Sequence, residues 1–211
     1  MADSMSEQEV FWSGDFGDDY IGRNESDLLR SSNISLFSKI LSGKKRVDSV
    51  LEVGANIGLN LSAMAQLFPS QRRAGIEINR KAFNILEQNP DVSECFLGGI
   101  TSVEIESLFD LVLAKGVLIH LDPNSLDLVY SKLAGWSQRY VLMMEYYSPN
   151  PVGIDYRGHS GKLFKRDFAG EFMDQQPEFS LVDYGFAYHR DPCFPQDDIT
   201  WFLMERSTKM R

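Results

Sequence analysis

The sequence predicts a doubly wound α/β fold, with a mostly parallel seven-stranded sheet that ends in a C-terminal antiparallel hairpin. Three observations carry this. Short apolar runs alternate with amphipathic stretches between residues 48 and 145. The first run leads straight into a glycine-containing turn, Gly54-Ala55-Asn56-Ile57-Gly58, and then into a helical pattern. Beyond residue 180 two apolar runs stand too close together for a crossover helix, so they pair antiparallel.

The elements follow in order. The head, Phe11 to Asn24, is rich in aromatics, Gly and Asp and shows no clear periodicity. Ser26 is placed to cap a helix from Asp27 to about Leu41. Its Leu28, Leu29, Ile34, Phe37, Ile40 and Leu41 make a broad apolar face, and Gly43 closes it. Asp48 to Val53 reads as a buried strand and Gly58 to Phe68 as a helix. Arg73 to Ile78 is a second strand, followed by a helix over Lys81 to Gln88 that Pro90 terminates. Cys95 to Leu97 is a short third strand. Phe109 to Ala114 is apolar enough for the centre of a parallel sheet. Asn124 to Trp136 is helical through Leu126, Val129, Tyr130 and Leu133, and Tyr140 to Glu145 is a fifth strand. Tyr146 to Gly161 reads as a long Pro/Gly loop, and a connection of that length points to function. Lys165 to Gln176 reads as a helix. Leu181 to His189 and Ile199 to Glu205 form the closing hairpin.

At 211 residues, 43% apolar and 24% charged, the chain has the size and composition of one globular domain. Its net charge of −9 repels phosphate backbones and argues against nucleic acid as a partner, despite local basic clusters at Lys44-Lys45-Arg46 and Lys162 to Arg166. The polar, acidic N-terminus does not read as a signal peptide or anchor. No apolar run approaches the roughly 18 residues of a membrane span, so the expectation is a cytoplasmic protein with no membrane partner. Cys95 and Cys193 supply neither a disulfide framework nor a zinc ligand set, and no metal-ligand cluster is present in the sequence.

The glycine turn limits the ligand. Gly54 permits a sharp backbone turn and Gly58 a close approach, while the next helix presents unpaired N–H groups to the crevice. A dinucleotide fingerprint requires a glycine where Asn56 stands and another near Leu59 to Leu61. The pyrophosphate bed is therefore missing. Glu52, two residues before Gly54, repels a pyrophosphate but suits a cationic amino-acid or sulfonium ligand. Glu77 closes the second strand, where a carboxylate can accept both hydroxyls of a ribose.

This combination resembles motifs one and two of the class I S-adenosylmethionine-dependent methyltransferases. The resemblance implies a Rossmann-like methyltransferase fold, S-adenosyl-L-methionine as cofactor, and a lid and helix over residues 1–43 in front of a cofactor-binding domain over 44–211. It places Glu52 near the methionine part, makes Gly54, Asn56 and Gly58 the cradle, and puts Gly99 and Ile100 at the adenine. Ile78 and Lys115 join the cofactor set. A narrower resemblance, to the pseudaminic acid biosynthesis-associated methyltransferases, rests on residues 11–24, Lys115-Gly116-Val117-Leu118-Ile119-His120, residues 156–167 and Asp197-Asp198-Ile199-Thr200-Trp201. It implies a small, anionic acceptor such as a nonulosonic sugar or another intermediate of carbohydrate biosynthesis. Methylation of RNA or protein, or an inactive cofactor-binding regulator, are the competing readings.

Ligands of open α/β sheets bind outside the carboxyl ends of the strands, and the substrate candidates lie there. A hydroxyl or ammonium acceptor must lose a proton, and an imidazole suits that task at neutral pH. His159, in a polar loop, is the first candidate base and His120 the second; His189 reads as a surface residue. Tyr146, Tyr147, Tyr156, Arg157 and Lys162 are the candidate acceptor-binding residues, although alternation leaves at most one of Tyr146 and Tyr147 in direct contact. In the head, Phe16 reads as a hydrophobic plug, with Trp12 open to that role. Tyr20 and Arg23 read as closing over the cofactor carboxylate.

Overall fold

The computed structural model describes residues 5–23 and 27–207. The head is helical, which its composition did not announce. Ser6 starts α1 (Glu7–Ser13) with a capping box: its hydroxyl accepts the Glu9 N–H and the Glu9 carboxylate accepts the Ser6 N–H. Gly14 breaks the helix, α2 (Asp15–Tyr20) follows, and a 3₁₀ turn spans Ile21–Arg23. The expected cap at Ser26 and the end of the head at Asn24 lie outside the described residues. The helix α3 (Asp27–Leu41) has the expected bounds. Its buried face includes Ser32 and Asn33 beside Leu36, Phe37, Ile40 and Leu41, whereas Leu28 stands exposed.

Strands and helices then alternate: β1 (Ser49–Val53), α4 (Leu59–Leu67), β2 (Arg72–Glu77), α5 (Arg80–Glu87), β3 (Glu94–Leu97), β4 (Phe109–Lys115), α6 (Leu126–Trp136) and β5 (Ser137–Glu145). After a hairpin, β6 (Val152–Tyr156) and β7 (His159–Lys165), come α7 (Phe168–Gln175), β8 (Phe179–Ala187) and β9 (Ile199–Arg206). The main sheet has the order β3-β2-β1-β4-β5-β9-β8. Its first five strands are parallel, and β9 runs antiparallel to both β5 and β8. This is the predicted doubly wound α/β sheet of seven strands.

One segment differs. Most of the expected Pro/Gly loop from Tyr146 to Gly161 belongs to the separate β6–β7 hairpin. Arg157 and Gly158, at φ +51 and +85, form its two-residue turn, and two successive left-handed residues match the twist of a hairpin. Lys165 still pairs with Val152, so the helix expected from Lys165 starts only at Phe168, capped by the Asp167 side chain.

Side chains alternate across the sheet. Leu51, Val53, Ala74, Ile76, Val112, Ala114, Val141 and Met143 pack on the side of α6 and α7. Val50, Leu111, Leu113, Leu142 and Met144 pack on the side of α3 and α4. Burying each Val, Leu, Ile or Met among these contributes about 1.5–3 kcal/mol. The same alternation sends Glu52, Glu77 and Lys115 to the α3/α4 side and Glu145 to the other. Among the described residues no helix is long and apolar enough to cross a membrane.

Candidate active site

The carboxyl ends of β1, β2, β4 and β5 open into a cavity of about 490 Å³, a volume typical of small-molecule sites. The head and the β6–β7 hairpin supply its outer wall through Gln8, Glu9, Trp12, Tyr20, Tyr156 and Arg157.

On the α3/α4 side the chain leaves β1 through Gly54, at φ +66, where an added β-carbon would come 2.5 Å from Val117 Cγ2. Asn56 also holds a left-handed conformation, φ +50, which asparagine tolerates better than most residues. That bend aims its N–H at Glu77 Oε2, 2.7 Å away; the Asn79 N–H donates to Oε1 at 2.7 Å. Each oxygen of Glu77 keeps accepting capacity, and the residue lines the cavity. Burial raises its pKa against these backbone N–H groups. Ile78, Gly99 and Ile100 line the cavity beside it. Gly58 does not fit the cradle expected of it. A β-carbon there would strike Leu86 Cδ1 at 2.8 Å and Asn89 Nδ2 at 2.9 Å, so this glycine serves the packing of α4 on α5.

Glu52 and Lys115 are joined through amides that the sequence reading did not single out. Asn60 donates to Glu52 Oε1, and its own Oδ1 accepts from Lys115 Nζ at 3.3 Å. Lys115 also donates to Asn33 Oδ1 at 2.6 Å, which accepts from Gln196 Nε2 at 2.8 Å. Burial pushes the Glu52 carboxyl up and the Lys115 ammonium down, while each favours the other's charged form. Glu52 Oε2 is buried with no partner among the described residues.

The opposite side holds His120, at the end of a 3₁₀ turn over Leu118–His120. Its Nδ1 lies 2.7 Å from the Lys162 carbonyl, which can only accept, so Nδ1 carries a proton and Nε2 is the ring's acceptor. Burial lowers its pKa from 6.5 to about 4. Trp12 and Tyr156 flank it with ring centroids at 4.5 and 4.9 Å. Glu145, closing β5, accepts the N–H groups of Val117 and Leu118 at 3.0 and 2.9 Å on Oε1, and its buried Oε2 has no partner among the described residues.

The remaining candidates divide. Tyr146 lines the cavity, whereas Tyr147 is exposed and packs on Phe202. Tyr156 and Arg157 line it, with the guanidinium 5.6 Å from the Tyr156 ring. Lys162 stands apart, its ammonium 3.6 Å from Glu7 and 5.5 Å from the Phe11 ring, where it ties hairpin to head. His159, the first candidate base, does not line the cavity. It begins β7 and packs against Phe11 and Phe16, at 5.0 and 5.8 Å. His189 is exposed and bonded to Asp198. Tyr20 and Trp12 both line the cavity, 5.3 Å apart; Phe16 does not, and stacks on Phe11 at 4.2 Å. The Arg23 side chain lies outside the described residues.

The missed residues left traces in the sequence. Asn33 interrupts the apolar face of α3, Asn60 that of α4, and Glu145 ends an apolar strand as Glu77 does.

No family model matches the sequence, and no curated protein does. Solved structures match over nearly the whole chain. Magnesium protoporphyrin IX methyltransferase from Synechocystis PCC 6803, with S-adenosylmethionine bound, is 14% identical at a TM-score of 0.71; the match covers 98% of this chain and 100% of that one. The Burkholderia thailandensis 1,6-didemethyltoxoflavin-N1-methyltransferase, with bound substrate and S-adenosylhomocysteine, is 13% identical at a TM-score of 0.68, covering 99% and 94%. The plantazolicin methyltransferase BpumL, in complex with S-adenosylhomocysteine, is 13% identical at 0.65, covering 95% and 94%. With the strand order, these likenesses identify the fold as that of the class I S-adenosylmethionine-dependent methyltransferases.

Proposed function

We propose that the protein is an enzyme that transfers a methyl group from S-adenosyl-L-methionine to a small-molecule acceptor. The observation that carries this reading is Glu77: a buried carboxylate at the end of β2, fixed by two backbone N–H groups, with accepting capacity left toward the cavity. That pair of acceptors suits a ribose diol. The unpartnered Glu52 Oε2 suits an ammonium group, and no pyrophosphate bed competes. Bound S-adenosyl-L-methionine supplies an electrophilic methyl carbon on a sulfonium.

The chain's own residues do the rest. Ile78, Gly99 and Ile100 take the adenine, and Asn60 and Lys115 hold Glu52 in place. The described part of the head acts as a lid that excludes water, with Tyr20 at the cavity wall over the cofactor carboxylate. His120, rather than His159, accepts the acceptor's proton at Nε2, its orientation set by the Lys162 carbonyl. A small acceptor is supported by the enclosed volume and by the names of the structural neighbours. The finer reading is an anionic acceptor of the nonulosonic-sugar type. It rests on the sequence resemblance and on Arg157 at the cavity wall.

The test is thermal unfolding with ligands. S-adenosylhomocysteine at 100 times its Kd adds about 2.7 kcal/mol, and NAD adds nothing. Glu77→Ala removes the shift. A folded wild-type sample with no shift refutes the reading, and transfer of labelled methyl to RNA or protein alone refutes the small acceptor.

A further inference from the structure

The cofactor reading leaves one buried carboxyl unused. Glu145 is 4% exposed, lines the cavity next to Tyr146, and projects from the sheet face opposite Glu52, Glu77 and Lys115. Its Oε1 is engaged by two backbone N–H groups, whereas Oε2 has no partner among the described residues. An unsatisfied buried acceptor of this kind costs about 1–3 kcal/mol, a cost that a ligand arriving in the cavity can cancel. What offsets the burial of this carboxyl is the run of N–H groups at Val117, Leu118 and Ile119 rather than any cation. Lys115 is occupied on the other face with Asn33 and Asn60.

From this geometry we infer that Glu145 is an acceptor-binding residue: its Oε2 accepts a hydrogen bond from the N–H or O–H group that becomes methylated. The inference rests on the methyl-transfer reading and narrows it. Both acceptor atoms on this side, Glu145 Oε2 and His120 Nε2, call for a donor from the ligand. The backbone N–H groups on Oε1 favour the negative charge that makes Oε2 a strong acceptor. A substrate carboxylate would meet like charge at the ionised Glu145, whereas an N–H or O–H group brings a donor that stabilises that charged form. An amine or a hydroxyl is therefore the acceptor group, and Arg157 is left to read an anionic substituent elsewhere on the same molecule. Burial holds the carboxyl at a pKa of about 8 in the absence of ligand, and a donor at Oε2 favours its ionised form.

Glu145→Gln is the discriminating variant, because the amide oxygen can still accept from Val117 and Leu118 while its –NH₂ cannot accept at all. Wild type and variant are titrated with S-adenosylhomocysteine, then assayed with methyl-labelled cofactor on a panel of small amines, alcohols and carboxylates. The expected result is label on nitrogen or hydroxyl oxygen in wild type. In the variant, S-adenosylhomocysteine affinity stays within about twofold while kcat/KM for the acceptor falls about 100-fold, a magnitude in keeping with loss of a charged hydrogen bond. A variant that turns over as wild type does overturns the assignment. So does a methyl ester as the wild-type product, which decides the matter even if the variant fails to fold. Absence of S-adenosylhomocysteine binding by wild type refutes the underlying methyltransferase reading instead.

Discussion

His120 links the site to a measurable pH dependence of stability. Its pKa is about 4 in the folded protein against about 6.5 in an unfolded chain. Between these values the unfolded state binds the proton and the folded state does not, so stability falls as pH drops from 6.5 toward 4. The separation corresponds to roughly 3 kcal/mol, lost once both states are protonated. Above pH 6.5 both states hold a neutral ring, and the contribution is flat. His120→Gln removes the titration while its amide N–H can still reach the Lys162 carbonyl. Urea unfolding of wild type and variant at pH 7.5, 6, 5 and 4.5 isolates the effect, because the other acid-sensitive groups are common to both proteins and cancel in the difference. The wild type is expected to lose most of those roughly 3 kcal/mol relative to the variant across this range. A difference that stays constant from pH 7.5 to 4.5 refutes the buried, neutral imidazole and with it the free Nε2 on which the proton-transfer role depends.

Gly54→Ala places a β-carbon at φ +66 and 2.5 Å from Val117 Cγ2. Chemical denaturation should register a loss of about 1–3 kcal/mol, with weaker S-adenosylhomocysteine binding by calorimetry, since Val117 cannot retreat without disturbing its N–H bond to Glu145. Trp12→Ala removes ring contacts to His120 and Tyr156, each worth about 1 kcal/mol. The acceptor KM should rise tenfold or more while the Kd for S-adenosylhomocysteine changes much less; equal effects on both would assign Trp12 to the cofactor.

The fold was legible because its signals are local. Each βα unit of the parallel half carries its own apolar run and its own turn, and the bounds of α3 follow from its apolar face between Ser26 and Gly43. The residues proposed to hold the cofactor were local in the same way: Glu52, Gly54 and Asn56 lie within five residues, and Glu77 ends the next strand. The sequence left Gly58 open to a helix or a ligand, because a glycine at a turn looks the same whichever of them requires the space. Only the position of Leu86 and Asn89 distinguishes the two. The β6–β7 hairpin was hidden because Pro151, Gly153, Gly158 and Gly161 gave its sequence the composition of a loop, and its strands are largely exposed, without the alternation that a half-buried strand shows.

The residues proposed for the acceptor could not be read in that way, because tertiary contact among distant segments brings them together. His120 is oriented by a carbonyl 42 residues later, and Glu145 caps a turn 27 to 28 residues earlier. Trp12 reaches His120 from a head that is held by two bonds, Asn79 to the Asp18 carboxylate and the Thr101 hydroxyl to Glu9. Composition favoured His159 over His120, since a polar, glycine-flanked histidine looks available and one following Val117, Leu118 and Ile119 looks structural. Folding reverses that preference. The histidine in the apolar run is carried into the cavity with one nitrogen engaged and the other left to accept, while the one in the polar loop is covered by Phe11 and Phe16. Burial that leaves one carboxyl oxygen without a partner among the described residues is shared by Glu145 and Glu52, which project from opposite faces of the sheet. Under the proposed reading the methionine end of the cofactor lies toward Glu52 and the methyl acceptor toward Glu145 and His120, so that β4 and β5 stand between the two.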